Sequence, residues 1–441
     1  MVRLIFLLFD ILTITSSFFL AKLLRFHSLG VFVRNEWTTL IFLIFTILLL
    51  NYFYDLYNHY FYAQLGRVFF KILNVWIIAF ILFILVGFLT KFYFLINSRS
   101  FIFLFFVFFP ILSSILRVVV TSTILTNYFN VSRNRITTIY VGPEERYSQF
   151  KNFFDNNVIS GLNLISNQKD ICVNSRQIFL FSEKDDYGEL YKEIQRLAKP
   201  GVRLHIASPL LNELPMNWEW CKIENIPIYT FIVNSNKTWQ EILRRFLDII
   251  ISSLCLIILF PLFIVVTIAI KLDSPGSVIY KQKRCGYLGK EFTFYKFRSM
   301  YNNNKDYALK REKEFKDYIE NKTLKGKIID NSEITPVGKV LRRTSIDEFP
   351  QFFNVLKGDM TLIGPRPPIP YEVKYYKDWH KDRLKVKPGI SGLWQVYGRG
   401  SMPCDSSIFL DLLYTMNRSI TLDLKLLFQT IPAVLLGKGA Y

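Results

Sequence analysis

Two adjacent carboxylates and a nearby guanidinium are the residues of this sequence best suited to chemistry. Asp347 and Glu348 precede a proline in the stretch 345–351, and Arg366 lies in a Gly-Pro-Arg-Pro turn at residues 364–367. A carboxylate can attack phosphorus or bind a divalent ion, and a guanidinium forms paired hydrogen bonds with phosphate oxygens. The pattern therefore indicates phosphate chemistry through a carboxylate and a metal ion. Taken alone, the acidic pair also fits an ordinary first helical turn.

The composition is that of a membrane protein with an anionic partner. Of the 441 residues, 51% are hydrophobic and 42 are Phe, which is too apolar for one soluble globule. The formal net charge of +19 suits phosphate substrates and anionic lipid headgroups, and the apolar segments favour these over nucleic acid. The five cysteines form no Cys-x-x-Cys pair, so neither a zinc site nor a disulfide framework is indicated.

Four apolar runs in the first third of the chain predict a four-helix transmembrane bundle over residues 1–125. Each run is close to the roughly 20 residues that a helix needs to cross about 30 Å of hydrocarbon. The runs are 4–24, 37–54, 72–89 and 101–120. An even number of spans returns the chain to its starting side, so the N-terminus and everything after the bundle share one compartment. Basic residues flank the spans on both sides, and loop charge alone therefore does not orient the bundle.

Residues 131–236 alternate between strand and helix signals, which predicts a small Rossmann-like α/β domain. The strands are expected at 136–141, 177–181 and 202–206, and the helices at 147–154 and 188–197. A dinucleotide fold would have Gly-x-Gly-x-x-Gly after the first strand. Only Gly142 is present there, and Glu144 and Glu145 would repel a pyrophosphate. We therefore expect a structural or regulatory domain that binds no nucleotide.

The segment 244–270 predicts a membrane helix with a kink. Its apolar stretch is long enough to span, but Pro261 lies just past the middle, where it removes a backbone donor and bends the helix. A bent helix can enter and leave the membrane by the same face if protein covers the freed backbone groups. We therefore predict a re-entrant helix, with a kinked fifth span as the alternative.

Residues 271–441 become soluble and basic, as expected of a separate domain. Strands are predicted at 278–284 and 292–300. The highly charged stretch 301–322 predicts an exposed helical insert, and residues 419–436 predict an apolar helix that faces the membrane. The overall prediction is a membrane protein of the α plus α/β class, whose last domain is a monotopic α/β domain held by the kinked helix.

Seven short motifs give the segment from 244 to 441 a recognisable pattern. They are KLDSPG at 271–276, YKFRSM at 295–300, LRRTSIDEFPQ at 341–351, NVLKGDM at 354–360, GPRP at 364–367, KPGISGLWQV at 387–396 and GAY at 439–441. In these motifs and their order, the segment resembles the bacterial sugar transferases, the monotopic polyprenyl-phosphate phosphoglycosyltransferases. The four spans and the α/β domain ahead of it resemble the large family members, which are similar to undecaprenyl-phosphate galactose and glucose phosphotransferases.

The resemblance implies an enzyme that transfers a sugar-1-phosphate from a UDP-sugar to undecaprenyl phosphate and releases UMP. Such enzymes initiate capsule, exopolysaccharide or lipopolysaccharide O-antigen synthesis. By resemblance, Asp347 is the nucleophile that forms an aspartyl phosphosugar, and Glu348 is the neighbour that sets its geometry or its magnesium. Mg²⁺, held by Asp347 and Glu348, would neutralise the diphosphate and the leaving group.

The resemblance also assigns supporting residues. Arg342 and Arg366 match positions expected to hold phosphate oxygens, for which a guanidinium fork is well suited. Lys296 and Arg298 are further candidates for phosphate contacts, and a basic rim on a membrane-bound domain explains them almost equally well. Asp423 matches a late family aspartate. The last supporting candidate is Gln351, which lies four residues after the predicted nucleophile.

Three positions depart from the family pattern. A Ser-Pro pair is usual at the kink, whereas this chain has Phe260 before Pro261 and lacks a hydroxyl that could bond a freed carbonyl. Glu333 replaces a common basic residue, and the stretch 399–401 lacks the Asn-Asp often found after the arginine. The first two departures affect the membrane mode and the local charge, and the third bears on the choice of sugar.

The resemblance implies an inner-membrane protein whose catalytic domain faces the cytoplasm, because nucleotide sugars are made there. Membrane lipids are expected partners, and a homo-oligomer such as a dimer is left open. One alternative is a catalytically inactive scaffold or regulator of polysaccharide assembly, against which the intact acidic pair argues. Another is a membrane-anchored nucleotide-sugar dehydratase or epimerase, which would need a glycine-rich strand end and a Tyr-x-x-x-Lys couple.

Overall fold

The computed structural model divides the chain into two compact units. One unit comprises residues 1–181 and 218–229, and the other comprises residues 182–217 and 230–441. The residues that the structure describes are 2–27, 34–54, 56–57, 65–90, 99–131, 135–156, 162–166, 177–214, 221–223, 226–233, 238–301, 305–320, 334–398 and 402–435. The departures at Glu333 and 399–401 and the GAY motif at 439–441 lie outside these ranges.

The first unit begins with four long helices that correspond to the four predicted spans. They are α1 (Val2–Phe26), α2 (Arg34–Phe53), α3 (Leu65–Thr90) and α4 (Arg99–Val119). A π-helical turn and the short α5 (Thr126–Asn130) continue α4. Buried aromatic rings such as those of Phe18, Phe101 and Phe105 form the core of the bundle. The prediction of apolar helices in this third of the chain is therefore confirmed.

Length separates α2 from the other apolar helices. Four helices in the described part of the chain are long and apolar enough to cross a membrane: Leu4–Phe26, Val68–Phe88, Ser100–Asn130 and Thr238–Asp273. The apolar part of α2, Glu36–Tyr52, is shorter. Helix Thr238–Asp273 is thus the one predicted to be re-entrant. The second predicted span, α2, has the shortest apolar stretch of these helices.

A buried ion pair joins three helices of the bundle. Both carboxylate oxygens of Asp10 in α1 accept hydrogen bonds from Arg117 Nη2 in α4, at 2.6 and 2.7 Å. Asn51 in α2 donates to Asp10 Oδ2 at 2.8 Å, and Arg117 Nη1 donates to the carbonyl of Leu56 at 3.0 Å. Charges inside an apolar bundle are stable only when they are paired in this way.

The predicted α/β region contains a parallel sheet. Strand β1 (Ile136–Val141) pairs in parallel with β2 (Leu162–Ser166) and with β3 (Gln177–Phe181). Every residue of β3 is buried, as expected for a strand covered on both faces. Helix α6 (Glu144–Asn156) follows β1 and buries Phe150 and Phe154. The strands predicted at 136–141 and 177–181 are confirmed.

The rest of that region follows the same pattern. Helix α7 (Tyr187–Leu197) and strand β4 (Arg203–Ala207) match the predicted helix at 188–197 and strand at 202–206. Strand β5 (Cys221–Ile223) pairs antiparallel with β6 (Ile226–Ile232). Helix α7 and strand β4 belong to the second compact unit, together with the residues predicted to be catalytic.

Helix α8 (Thr238–Asp273) belongs to the second unit and contacts other elements of that unit near both of its ends. Near the end of its second turn, Arg245 donates to the carbonyls of Val355 and Leu356, both at 2.6 Å. Near its end, Val266 and Ile270 lie in a small core with Phe297. Pro261 lies inside the helix, and large aliphatic side chains between these ends are exposed.

The second unit carries short elements around one hairpin. Strands β7 (Ile279–Cys285) and β8 (Glu291–Phe297) form this antiparallel hairpin, close to the predicted positions, and β9 (Thr361–Ile363) pairs in parallel with β10 (Gly389–Ser391). The helices are α9 (Lys305–Ile319), α10 (Pro336–Arg343), α11 (Gln351–Lys357), α12 (Pro370–Lys374), α13 (Asp378–Lys381), α14 (Leu393–Tyr397), α15 (Cys404–Asn417) and α16 (Ile420–Leu435).

The charged insert differs from its prediction in one respect. Its helix α9 was expected to be a solvated face, but Tyr318 and Ile319 in its last turns are buried. The Tyr318 hydroxyl donates to the carbonyl of Met402 at 2.7 Å. The many charged residues of the insert predicted exposure and gave no sign of these two buried side chains. The prediction that the insert is exposed was therefore wrong for its last turns.

Candidate active site

The acidic pair lies on a tight turn between two helices. Helix α10 starts at a cap in which Thr335 Oγ1 accepts from the amide of Gly338 at 2.9 Å. After α10 ends, Ser345 adopts a left-handed backbone conformation with φ of 56°. A single 3₁₀ turn, Ile346–Glu348, then holds both acids immediately before α11. The turn, rather than a regular helix, therefore directs the two carboxylates.

Lys296 on β8 contacts both acids. Its Nζ lies 2.7 Å from Asp347 Oδ2 and 3.2 Å from Glu348 Oε1. The Asp347 side chain is only 3% exposed, whereas that of Glu348 is 40% exposed. One carboxylate is thus buried against a cation, and the other faces the opening of the site.

Burial and neighbouring charge shift the pKa values of Asp347 and Lys296 in opposite directions. Burial raises the pKa of Asp347 above its ordinary value, and the Lys296 ammonium opposes that rise. Burial lowers the pKa of Lys296, but the carboxylates of Asp347 and Glu348 outweigh it and leave that pKa above its ordinary value. Lys296 is therefore charged at neutral pH, and its charge favours the ionised form of Asp347.

A cavity of about 300 Å³ opens above the acids and is rich in cations. Six of the predicted site residues line it: Lys296, Arg342, Asp347, Glu348, Gln351 and Arg366. Two further arginines, Arg284 and Arg383, also line the cavity. Glu372 is a third carboxylate in the lining, after Asp347 and Glu348. Four guanidinium groups and one ammonium still outnumber the three carboxylates, and this excess of positive charge suits a ligand with several negative charges, such as a diphosphate.

Arg366 lies on a turn whose backbone contacts leave no room for a side chain at Gly364. The amide of Gly364 donates to the carbonyl of Ser391 at 2.8 Å, and the amide of Gly389 donates to the carbonyl of Pro365 at 2.9 Å. A Cβ on Gly364 would approach the carbonyl oxygen of Lys387 to 2.5 Å, so only glycine fits. The Arg366 guanidinium lies 5.8 Å from the ring centroid of Trp394.

Sequence reasoning missed Arg284 and Arg383. On β7, alternate residues face the cavity, and Arg284 is the last of that row. Its Nη1 donates to the carbonyl of Pro367 at 2.9 Å, and burial, aided by the nearby Arg366, lowers its pKa to about 10. The period-two pattern of β7 could have identified Arg284, whereas only the folded chain brings Arg383 to the cavity.

The structure does not bring Arg298 and Asp423 to the cavity. Arg298 donates to the carbonyls of Ile270, Ser274 and Pro275 at 3.1, 2.6 and 2.6 Å and thereby caps the end of α8. Asp423 accepts from Arg244 Nε and from the Tyr414 hydroxyl, both at 2.6 Å. These two side chains fasten the two ends of α8 to the second unit, and Pro261 lies between them in the helix.

We expect Arg298→Leu to lower stability without weakening phosphate binding. Loss of a buried guanidinium that satisfies three carbonyls should cost about 3 kcal/mol. The fall in melting temperature can be measured in detergent or nanodiscs, with UMP affinity measured by calorimetry below the transition. Arg196→Leu, at an exposed position, is the matched control. A variant of normal stability that loses UMP affinity would instead support the predicted phosphate contact.

The metal donors at the site are few. Among the residues that the structure describes, no group of three or more His, Cys, Asp or Glu side chains could hold a metal ion. Mg²⁺ nevertheless binds to proteins through one or two carboxylates completed by substrate phosphates and water. Glu348 is exposed enough for this arrangement, whereas Asp347 Oδ2 is occupied by Lys296. The donor set fits Mg²⁺ only together with a phosphate ligand.

The structure combines long apolar helices with a cavity whose cations suit a phosphate-bearing ligand. The sequence model of the family described as bacterial sugar transferase matches residues 239–437. The exopolysaccharide production protein ExoY of Sinorhizobium fredii is 38% identical over 202 residues, which are 45% of this chain and 88% of that protein. The chain therefore belongs to the bacterial sugar transferase family.

Two longer relatives are also similar to this chain. The undecaprenyl-phosphate galactose phosphotransferase of Salmonella typhimurium is 36% identical over 270 residues, 58% of this chain and 55% of that protein. The UDP-glucose:undecaprenyl-phosphate glucose-1-phosphate transferase of Klebsiella pneumoniae is 37% identical over 229 residues, 50% of this chain and 46% of that protein. The matched regions thus span about half the length of these two relatives.

Proposed function

We propose that this protein transfers a sugar-1-phosphate from a UDP-sugar to undecaprenyl phosphate, through a covalent intermediate on Asp347. The observation that supports this most strongly is the Asp347–Lys296 contact of 2.7 Å on the wall of a cavity lined by four arginines. A buried carboxylate whose ionised form is favoured by an adjacent ammonium is a suitable nucleophile. The surrounding cations suit a diphosphate donor and, in turn, a lipid phosphate acceptor.

The reaction divides into two displacements at the same phosphorus. In the first, a carboxylate oxygen of Asp347 attacks the phosphorus nearest the sugar, and the bond from that phosphorus to the bridging oxygen breaks. UMP leaves with the electron pair, and Asp347 carries the phosphosugar. In the second, an oxygen of undecaprenyl phosphate attacks that phosphorus, which releases the Asp347 carboxylate and forms the undecaprenyl diphosphate sugar. Two bulky substrates can therefore use one cavity in turn.

The side chains around the nucleophile have separate tasks in this proposal. Lys296 keeps Asp347 ionised, and Arg342 and Arg366 hold phosphate oxygens by paired hydrogen bonds. Arg284, which donates to the carbonyl of Pro367, keeps the Arg366 turn in place. Glu348 would hold Mg²⁺ together with the donor phosphates, and the ion would supply positive charge to the diphosphate as its bond to UMP breaks.

The contacts of α8 support the proposed membrane mode. Its first turns, through Arg245, and its last turns, through Val266 and Ile270, both pack on the unit that holds the cavity. A helix that crossed the bilayer would carry its two ends to opposite faces. Contacts at both ends therefore favour a re-entrant helix that keeps the cavity at the level of the lipid headgroups. We propose an inner-membrane location with this unit facing the cytoplasm, where UDP-sugars are made.

The sugar is proposed from the relatives. One is named for undecaprenyl-phosphate galactose transfer and another for glucose-1-phosphate transfer from UDP-glucose. UDP-galactose, UDP-glucose and the corresponding N-acetylated sugars are therefore the donors to test, with capsule, exopolysaccharide or O-antigen assembly as the process served.

The test is UMP release by the purified full-length protein in nanodiscs. Each UDP-sugar is incubated with undecaprenyl phosphate and Mg²⁺, and UMP and the lipid product are measured by chromatography and mass spectrometry. We expect one donor to give UMP and an undecaprenyl diphosphate sugar in equal amounts. An absence of both products with every donor, from well-folded protein, would contradict the proposal and favour the inactive scaffold.

A further inference from the structure

Helix α7, from the predicted Rossmann-like region, belongs to the unit that holds the active-site cavity and packs on α13 of the same unit. Gly188 lies against Trp379, so closely that a Cβ on the glycine would approach the indole Nε1 to 2.6 Å. One turn later, the Tyr191 ring lies 6.1 Å from the Trp379 ring, centroid to centroid. The absence of a side chain at position 188 therefore permits close contact between α7 and α13.

Polar side chains of α7 converge on one carboxylate beyond α13. The Tyr191 hydroxyl donates to Asp382 Oδ2 at 2.9 Å, and Gln195 Nε2 donates to the same oxygen at 2.5 Å. Gln195 also donates to the Tyr191 hydroxyl at 3.1 Å, so the three groups form a closed triangle. The other oxygen, Asp382 Oδ1, lies 2.7 Å from Lys385 Nζ. Asp382 is therefore held by α7 on one side and by its own turn on the other.

Asp382 immediately precedes Arg383, one of the arginines of the cavity. Arg383 Nη2 donates to the carbonyl oxygen of Arg366 at 3.1 Å, and Nη1 donates to the Tyr376 hydroxyl at 2.8 Å. The same Nη2 pairs with Asp411 on α15. Arg383 thus connects the turn held by α7 to the backbone of the residue whose guanidinium faces the cavity.

Helix α7 contacts both sides of this ion pair. Its Tyr191 holds the residue before Arg383, and its Tyr187 ring lies 5.1 Å from the ring of Phe409, which is two residues from Asp411. The second contact is apolar and fixes α15 relative to α7. A shift of α7 would therefore move the two partners of the Arg383–Asp411 pair, and with them the Arg366 carbonyl.

We propose that α7 is a positioning element for Arg366, acting through Asp382 and Arg383 on the phosphate-binding turn. The proposal rests on the proposed function, because it takes Arg366 as a ligand of the donor diphosphate. It gives part of the α/β region a role in catalysis that needs no nucleotide of its own. Tyr191, Gln195 and Asp382 are the positioning residues, and none of them touches substrate.

The first test uses Tyr191→Phe, which removes only the hydroxyl that holds Asp382. Disturbing one link of a coupled network typically changes a distant equilibrium by about 2- to 30-fold. We expect the KM for the UDP-sugar to rise about fivefold, with the KM for undecaprenyl phosphate and the melting temperature unchanged. Tyr147→Phe is the matched control, because its hydroxyl donates to the carbonyl of Leu164 at 3.2 Å instead, and it should retain the wild-type donor KM.

A double-mutant cycle distinguishes specific positioning of Arg366 from a general loss of rigidity in the second unit. In an Arg366→Lys background, Tyr191→Phe should leave the donor KM unchanged, because the guanidinium group that Tyr191 helps to position is already absent. In an Arg342→Lys background, the fivefold effect should persist, since Arg342 lies on α10, whereas Tyr191 acts through Asp382 and Arg383 on the carbonyl of Arg366. Equal effects in both backgrounds, or no effect in the wild-type background, would overturn the proposal.

A hydrogen-exchange measurement tests the same link without activity. Gly188→Ala pushes α7 away from Trp379, and we expect faster exchange at the amides of Gly364 and Gly389, which bond across the Arg366 turn. Faster exchange confined to 187–197 would reject the link. If the wild-type protein transfers no sugar phosphate at all, the proposed function fails, and this exchange result still decides whether α7 orders the Arg366 turn.

Discussion

Asp347→Asn is expected to abolish sugar-phosphate transfer while leaving the fold intact. The amide has the shape of the carboxylate and can still accept a hydrogen bond from Lys296, but it cannot act as the attacking anion. Loss of a catalytic nucleophile typically lowers kcat by about 10⁴-fold or more, so UMP release should fall to the background. The measurement is UMP release in nanodiscs, together with mass spectrometry of the peptide that contains residues 345–351 after trapping with UDP-sugar alone.

Glu348→Gln is the matched control for that variant. It changes the adjacent, more exposed carboxylate by the same chemistry and retains Asp347. We expect slower transfer with the phosphosugar adduct still detectable on Asp347. An Asp347→Asn protein that folds normally and still transfers would remove Asp347 from the nucleophile role. An adduct found on Glu348 instead would exchange the two assignments.

Lys296→Met is expected to give a loss of transfer that depends strongly on pH. In the wild type, burial raises the pKa of Asp347 and the ammonium 2.7 Å away opposes that rise. Without the ammonium the pKa of Asp347 rises further, so a smaller fraction of this carboxyl group is ionised as the pH falls. Because only the ionised acid attacks, the rate should be lowest at acidic pH and should recover as the pH increases.

The pH profile of single-turnover UMP release measures this effect. Lys296→Arg keeps the positive charge and is the control, which should retain a profile close to that of the wild type. If the methionine variant lost rate equally at every pH, Lys296 would serve to hold phosphate rather than to ionise Asp347. A methionine variant with wild-type rate and profile would leave Lys296 without a role in the reaction.

The sequence could predict the centre of the site because its residues are close together in the chain. Asp347, Glu348, Gln351 and Arg342 lie within ten residues, and a single turn with its two flanking helices brings them to the cavity. Lys296 and Arg366 come from other motifs, and in this chain they also reach the cavity. The acidic pair with Arg366, and the family resemblance for Arg342 and Lys296, therefore predicted most of the acids and cations that the structure brings together.

Residues whose place depends on tertiary contacts could not be predicted in the same way. Arg298 follows Lys296 by two residues and faces the same side of β8 by strand alternation, yet beyond the end of the strand its guanidinium turns to the carbonyls that end α8. Asp423 is similarly used by Arg244. Arg383 carries no local signal at all, because its role arises from the contacts of α13 and α15 with the Arg366 turn.

Strand and helix positions were easier to predict than exposure. Buried runs such as 177–181 consist of residues that favour strands, and both faces of β3 are in fact covered. For α9 the many charged residues predicted a solvated helix, but two side chains in its last turns decided its packing. Composition describes the average character of a segment and does not show which single side chain is buried. In α9 the hydroxyl of Tyr318 bonds the carbonyl of Met402 and attaches the end of the helix to the unit.

The pairing of Asp10 with Arg117 has a consequence for how the bundle is made. The two residues are 107 positions apart, so the ribosome delivers the acid long before the base that neutralises it. An unpaired carboxylate in an apolar helix costs about 3 kcal/mol to insert, and α1 must bear that cost until α4 arrives. Biogenesis of the first span is thereby tied to that of the last, and the helices gain their full stability as a set rather than one at a time.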